Sequence, residues 1–584
     1  MRKGLAVSPG IVVGRALVVD CALRDGLEST RLGTGQTTAE LERLQRAIAS
    51  TASDLAALVT KVETQVGVRA ADIFRSHQLI LADESLTKKV KDQIVQHGLT
   101  ATSALNVAFQ DYKTIFEQIE DEYLRHRLAD VRDVIARIQS QLVVSANNGF
   151  DVGMDPLVVV AREILPSQAV SLGDINVAGI VTETGSNTSH AAILARSRAI
   201  PAVSGLIGIT AELRSGDTVI VDGRNGDVIV NPGPEVLTVY RTMQRDFAQL
   251  RDRLIERRDL PTVTPDGVDV ELMANIHDLA GARLAVDFGA VGVGLYRTEY
   301  FFLTHPSIPD EDEQVETYSQ VIEAAPTRRV TIRTLDLGGD KVIPFLGHRG
   351  EANPFLGWRS LRISFEHPEL FQTQIRGILR SACCGRVRLL FPMVTTPDEI
   401  QRVRRFVRRS QAELRRRGVP FSEDIEIGAM IEVPAAAICI DKLLESVDFV
   451  SIGSNDLVQY ITAADRDNPK VAHLCDPLSL AVLRVITIVV DACSVANKPV
   501  AVCGEMAGQP RACLALLGLG VRQFSMSPAL IPTIKELVRS TPVAEAQKCA
   551  QYALTLTTSR QIRGHLTRHL HRLCPKLEML DTTQ

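Results

Sequence analysis

Residues 425–433 read IEIGAMIEV and residues 449–455 read FVSIGSN, two short apolar runs that each end in polar side chains, with about one short helix of chain between them. Runs of this length followed by helical segments are the grammar of strands alternating with helices. Six more short apolar runs, spaced by helical segments, complete the series: Val268 to Ile276, Ala290 to Tyr296, Arg329 to Asp336, Val387 to Val394, Pro499 to Glu505 and Gln523 to Ser527. Eight strand–helix units in succession predict a (β/α)8 barrel over residues 260–584.

A barrel of this kind carries its chemistry at the C-terminal ends of its strands. The second predicted strand runs into Arg297 and Glu299, the third into Arg333 and Asp336, the fifth into Glu432, the sixth into Asn455 and Asp456, the seventh into Cys503 and Glu505. Arg359 follows the third strand and Arg466 the sixth. Guanidinium forks suit phosphate and carboxylate oxygens. Glu432 and Asp456 offer hard oxygen ligands suited to Mg2+, which keeps part of its shell for substrate and water. Cys503 supplies a thiol able to donate a proton near neutral pH. The predicted site takes a small, highly anionic substrate with a magnesium ion.

Working toward the N-terminus, Val236 to Asp259 is polar and helical with few core positions, a connector (236–259) between the barrel and what precedes it. Residues 157–235 change to short Val/Ile runs punctuated by Gly, Pro and Asp, a small α/β domain whose boundary lies near residue 146. It contains Thr184-Gly-Ser-Asn-Thr-Ser-His-Ala-Ala-Ile-Leu-Ala-Arg196. A turn at Gly185, a cap at Thr188 or Ser189 and a strong helix former thereafter place His190 at a helix N-terminus, where a phosphate on the imidazole is stabilised. Residues 21–145 show helical spacing in four stretches: Leu41 to Val62, Ile73 to Leu81, Leu105 to Leu128, and Val131 to Leu142. Residues 1–20 return to short strands around Ile11 and Leu17.

The chain has 584 residues, 65 Lys and Arg against 69 Asp and Glu, 45% hydrophobic and 23% charged. That balance describes a folded multidomain protein and argues against a bulk nucleic-acid binder. No apolar run suits a membrane span and the N-terminus is broken by Ser8-Pro9-Gly10, so no membrane insertion and a cytoplasmic location are expected. The ten cysteines lack a CxxC pair, which predicts free thiols. The eight arginines between Arg402 and Arg417 are expected to form the solvated face of a barrel helix. His565, His569 and His571 are expected on a helical surface, since Leu566 stands where a zinc-protease helix needs glutamate. Gly292 and Gly294 begin like a dinucleotide loop but Arg297 replaces its last glycine, and no Walker A loop exists.

Several longer motifs carry a family resemblance over nearly the whole chain. They are Ser8-Pro9-Gly10, Tyr123-Leu-Arg-His-Arg-Leu-Ala-Asp-Val-Arg-Asp133, the Thr-Ser-His segment, Gly294-Leu-Tyr-Arg-Thr-Glu299, Asp336-Leu-Gly-Gly-Asp-Lys341, Asn353-Pro-Phe-Leu-Gly-Trp-Arg359, Ser454-Asn-Asp-Leu457 and Cys503-Gly-Glu505. With these the sequence resembles enzyme I of the bacterial phosphoenolpyruvate-dependent sugar phosphotransferase system.

The resemblance implies a multidomain α/β protein: a swivelling phosphohistidine domain (1–20 with 146–235), an inserted helical bundle (21–145) that binds the carrier HPr, and the barrel, through which relatives form homodimers. It implies that His190 takes the phosphoryl group from phosphoenolpyruvate and passes it to a histidine of HPr, releasing pyruvate. It makes Arg297, Arg333, Asn455, Asp456 and Arg466 substrate-binding, Glu432 and Asp456 the Mg2+ ligands, and Cys503 the proton donor to the enolate. Arg359 joins the substrate-binding arginines by its place at the barrel mouth.

Ser186 and Asn187 stand where many relatives have Gly and a cation, and Ala169 where relatives can have a hydroxyl, which predicts weaker support for the phosphohistidine. Two rival readings are a regulatory or impaired paralogue acting through protein binding, and a pyruvate phosphate dikinase, which would need an ATP-binding domain.

Overall fold

The computed structural model describes the chain apart from residues 9, 20–30, 34, 66–71, 118–130, 140, 143–155, 165–176, 185–194, 196–199, 306, 339–350, 352, 467, 469, 576 and 578–584. His190, Ser186, Asn187 and Ala169 lie outside the described residues, as does most of the motif from Tyr123 to Asp133.

The first strands, β1 (Arg2–Lys3), β2 (Leu5–Ser8) and β3 (Ile11–Val19), join β4 (Leu157–Ala161), β5 (Val177–Thr182), β6 (Ala202–Ser204), β7 (Thr218–Asp222) and β8 (Asp227–Val230) in one sheet of order β1-β8-β7-β3-β4-β5-β6-β2. The central β3, β4, β5 and β6 run parallel, and antiparallel strands flank them on both sides. Two apolar clusters form, one around Val12, Val158 and Val219 and one around Val159, Ile180 and Ala202. Strands that pack on both faces read as nearly continuous Val/Ile runs.

Between β3 and β4 the chain makes helices Thr37–Gln65, Asp72–Ala82, Glu84–His97 and Ala101–Glu117, with residues 131–139 also helical. Their buried face joins Leu44, Leu55, Val90, Ile94, Leu105, Ile135 and Ile138. Helix Glu84–His97 corrects the four-stretch expectation. Its apolar positions, Leu86, Val90 and Ile94, fall four apart among charged residues, and it is bounded by an Asp83 cap and by Gly98 in the left-handed conformation (φ 63°). The Glu40 carboxylate accepts from the Ala101 amide (2.8 Å) at the start of the next long helix.

The connector is one helix, Pro234–Glu256. Its first part packs on β3, while Leu250 and Leu254 are buried in the barrel core, so it has more core than its polar sequence suggests.

The remaining strands are β9 (Glu271–Ile276), β10 (Val293–Arg297), β11 (Arg329–Arg333), β12 (Arg386–Phe391), β13 (Glu426–Ile431), β14 (Phe449–Ile452), β15 (Val500–Val502) and β16 (Gln523–Met526). All pair in parallel and close, β16 against β9, into the predicted eight-stranded barrel. Leu295, Leu390, Met430, Phe449 and Cys503 fill part of its interior. Gly428 on β13 pairs with Phe449 on β14, and a Cβ at Gly428 would meet the Phe449 ring at 2.4 Å. Glycine is required there by close approach.

The arginine-rich helix is Pro397–Arg417. It buries Ile400, Val403, Val407 and Leu414 and turns its arginines outward, Arg402 over the Phe365 ring and Arg417 onto Glu311. No described helix is long and apolar enough to cross a membrane. The nine described cysteines are free.

Candidate active site at the barrel mouth

The strand ends bring eight of the nine expected site residues to one rim: Arg297, Arg333, Arg359, Glu432, Asn455, Asp456, Arg466 and Cys503. Arg333 ends β11 and is buried. Its Nη2 donates to Glu299 Oε1 at 2.6 Å, and its Nη1 lies 2.9 Å from Asp336 Oδ2. Arg359 Nη2 reaches both Asp336 Oδ1 (2.9 Å) and Asp456 Oδ2 (3.0 Å), and its Nη1 donates to the Tyr460 hydroxyl (3.2 Å). Arg466 Nη1 lies 3.0 Å from Asp456 Oδ1. Asn455 Oδ1 accepts from the Glu505 amide at 2.8 Å and so ties the ends of β14 and β15 together.

The charges hold one another in place. Burial works against the Arg333 cation, but Asp336, Glu299 and Glu432 outweigh it and raise its pKa. Arg359 behaves alike under Asp336, Asp456 and Glu432. Arg297 differs: burial and the neighbouring Arg333 push its pKa down, against Glu299, Cys503 and Glu505. The buried Nε atoms of Arg297, Arg333 and Arg359 have no hydrogen-bond partner among the described residues. Buried donors left unsatisfied are costly, and an anion in the mouth satisfies them.

Glu432 is buried at the end of β13, with Oε1 accepting from the Met393 amide at 2.6 Å. Burial, then Asp456 and Asp336, push its carboxyl up to about 8. Several carboxylates crowded into a buried pocket, one of them pushed toward its protonated form by burial and by its acidic neighbours, are a donor set that fits a hard divalent cation. Met393 (φ 53°) and Ser360 (φ 54°) both adopt left-handed backbone. Their groups serve the site directly, the Met393 amide on Glu432 and the Ser360 hydroxyl on Asp336. Backbone strain is held where it orients acids.

Cys503 follows β15, buried, with Sγ 3.6 Å from the Ile452 carbonyl. Burial raises its pKa, against the charges of Arg333 and Arg297. The thiol therefore keeps its proton at neutral pH.

Sequence reasoning noted Asp336 and Glu299 as strand ends without giving them a role. Asp336 organises the rim, taking Arg333, Arg359 and Ser360 together. The available signal was its place three residues after Arg333 at a strand terminus. Tyr460 was missed, although it stands one helical turn after Asp456 in helix Ser454–Thr462.

The C-terminal histidines correct an expectation. His565 is buried and touches Cys549, because it shares a helix face with Ile562 and Leu566.

Family profiles for PEP-utilising enzymes match here: the N-terminal domain over residues 3–127, the mobile domain over 153–226 and the PEP-binding domain over 251–543. The phosphoenolpyruvate-protein phosphotransferase of Staphylococcus carnosus is 38% identical over 564 residues, covering 96% of this chain and 97% of that protein. Its counterpart in Geobacillus stearothermophilus is 37% identical over 565 residues (97% of each chain), and that of Bacillus subtilis 36% over 560 residues (96% and 98%).

Proposed function

Because the chain belongs to the phosphoenolpyruvate-protein phosphotransferases, enzyme I of the sugar phosphotransferase system, we propose that its barrel mouth binds phosphoenolpyruvate and delivers the phosphoryl group to His190. The enzyme class, with its phosphohistidine mobile domain and its PEP-binding barrel, follows from that membership. The assignment of this chain's residues rests on one observation: three buried arginine Nε donors, without partners among the described residues, lie in the same rim as crowded buried acids.

Phosphoenolpyruvate offers a phosphate and a carboxylate on a short carbon frame. Arg297, Arg333, Arg359 and Arg466 bind and orient these two groups, with Asn455 fixing the rim beside them. With Glu432 ionised, the four arginines face four carboxylates, Glu299, Asp336, Glu432 and Asp456, and the mouth is close to charge balance. A trianionic substrate therefore enters with a further cation, which Glu432 and Asp456 would hold. The chemistry Mg2+ would supply there is neutralisation of charge on the phosphoryl oxygens. The bond from phosphorus to the enol oxygen breaks as the bond to a neutral His190 nitrogen forms. The arginines stabilise charge spread over the transferring group. Cys503 then gives its proton to the enolate carbon, and pyruvate leaves.

The phosphorylated histidine meets a second protein, an HPr-like carrier whose own histidine takes the phosphoryl group. We assign carrier binding to the helices of residues 21–145, the phosphohistidine domain to 1–20 with 146–235, the swivel to the connector 236–259, and a homodimer contact to the barrel. Free thiols support a cytoplasmic setting.

Pyruvate formation tests this reading. With phosphoenolpyruvate and Mg2+ alone, a stoichiometric burst followed by a standstill is expected, and continuous turnover only when an HPr-like carrier is added. Continuous pyruvate formation without a carrier would show that water is the acceptor and would overturn it. No burst from the folded chain would bring the regulatory-paralogue reading forward.

A further inference from the structure

We infer that Cys549, His565 and His569 form a binding site for a thiophilic divalent cation of the zinc class on the outer helices of the barrel. Cys549 lies on helix Val543–Ala553, and the two histidines lie four residues apart on helix Ser559–Leu573. The two helices pack together and against helix Pro510–Gly518. One ligand atom from each residue falls within 4.8 Å of the other two.

Cys549 Sγ is 3.4 Å from His565 Nε2. Around a tetrahedral zinc ion, bond lengths near 2.3 Å to sulfur and 2.0–2.1 Å to nitrogen place those two atoms about 3.6 Å apart. One edge of the tetrahedron is therefore already set. The His569 ring, 4.5 Å from that of His565 between centroids, closes the face by a side-chain rotation. His569 is only half-buried, which leaves the fourth position to water. The Tyr552 ring lies 4.7 Å from that of His565.

The donor set decides the cation. One sulfur and two imidazole nitrogens suit zinc and exclude magnesium, which prefers oxygen. This site is separate from the carboxylates at the mouth in both place and chemistry. On binding, one metal–sulfur and two metal–nitrogen bonds replace bonds to water, and the Cys549 proton passes to solvent. His565 Nε2 lies 3.1 Å from the Cys549 carbonyl. It turns its lone pair to the cation, with its proton on Nδ1. Arg568 and Arg572 oppose a cation here; Arg572 Nη2 is 3.0 Å from His569 Nδ1, and Arg572 also pairs with Glu545. Its side chain is largely exposed and free to move aside with Glu545. A cation here pins helix Val543–Ala553 to helix Ser559–Leu573.

Cobalt is the probe. The full chain, with Mg2+ in excess to occupy oxygen sites, is titrated with Co2+ while near-ultraviolet and visible absorption are recorded. A thiolate-to-cobalt charge-transfer band and intense tetrahedral d–d bands are expected, saturating near about one cation per chain and displaced by Zn2+. Cys549→Ser should abolish the charge-transfer band. His569→Gln, at a half-exposed position that leaves the core intact, should weaken binding at least about tenfold while its melting temperature without metal stays near native. Zn2+ should raise the melting temperature of the native chain more than that of His569→Gln. A native chain with no charge-transfer band, or one whose band persists equally in both variants, overturns the proposal.

Discussion

Arg359 faces Asp456 across the barrel mouth with Nη2 3.0 Å from Oδ2, and the same nitrogen holds Asp336 at 2.9 Å. One guanidinium thus spaces the acid assigned to the cation and the acid that orders the arginine rim. Lysine at this position keeps a charge but loses the planar fork that also reaches Tyr460. Arg359→Lys should lower kcat/KM for phosphoenolpyruvate by about 10²–10³, the loss seen when a preorganised donor is removed from an active site. Native steady-state kinetics from this variant would remove Arg359 from the substrate site.

Glu432 makes the metal-free protein sensitive to pH. An unfolded glutamate releases its proton near pH 4.3, whereas in the folded chain this carboxyl holds on to about 8. Between those values the folded state binds more protons than the unfolded one, so this group's stability contribution is full below about pH 4 and is lost as pH rises toward 8. Melting temperatures from pH 5 to 8.5 should show the native chain losing stability relative to Glu432→Gln as pH rises. Saturating Mg2+ should flatten that difference in the native chain. Parallel profiles without metal would contradict the crowding of acids at this site.

Cys503 acts after phosphoryl transfer. Cys503→Ala should leave phosphorylation of His190 less impaired than the release of pyruvate, because the enolate then waits for a proton from water. Rapid-quench measurement of both products decides it, and equal losses in the two would point to a packing role beside Phe449 and Met430.

Gly428→Ala probes the barrel rather than the chemistry. The added methyl enters the Phe449 ring at 2.4 Å, which overpacking experience puts at about 1–3 kcal/mol of lost stability. Denaturant unfolding should show the loss, with phosphorylation stoichiometry retained under native conditions. An unchanged midpoint would mean that Phe449 swings aside without cost.

Much of this was legible in the residues. All eight barrel strands were recognisable as short apolar runs spaced by helical segments, and the polar ends of five of them named the site. What escaped notice had weaker local signals. Helix Glu84–His97 hides three apolar positions among lysines and acids, so only its Asp83 and Gly98 boundaries distinguish it from a loop. The connector's Leu250 and Leu254 belong to a core built by distant strands, which no local pattern reports. Asp336 gains its role from Arg359, 23 residues away in the chain, and from its buried pairing with Arg333. His565 looked like a surface histidine because its partner, Cys549, comes from the neighbouring helix.

Phosphate placed on a single histidine decides the central claim. The native chain and His190→Ala are incubated with phosphoenolpyruvate, with and without Mg2+, and compared by intact mass, acid lability and tandem mass spectrometry of the peptide containing residue 190. One acid-labile phosphate per chain is expected on His190, dependent on Mg2+, absent from His190→Ala and removed by added pyruvate. A phosphate of the same stoichiometry on folded His190→Ala, or none on the native chain, would contradict the account.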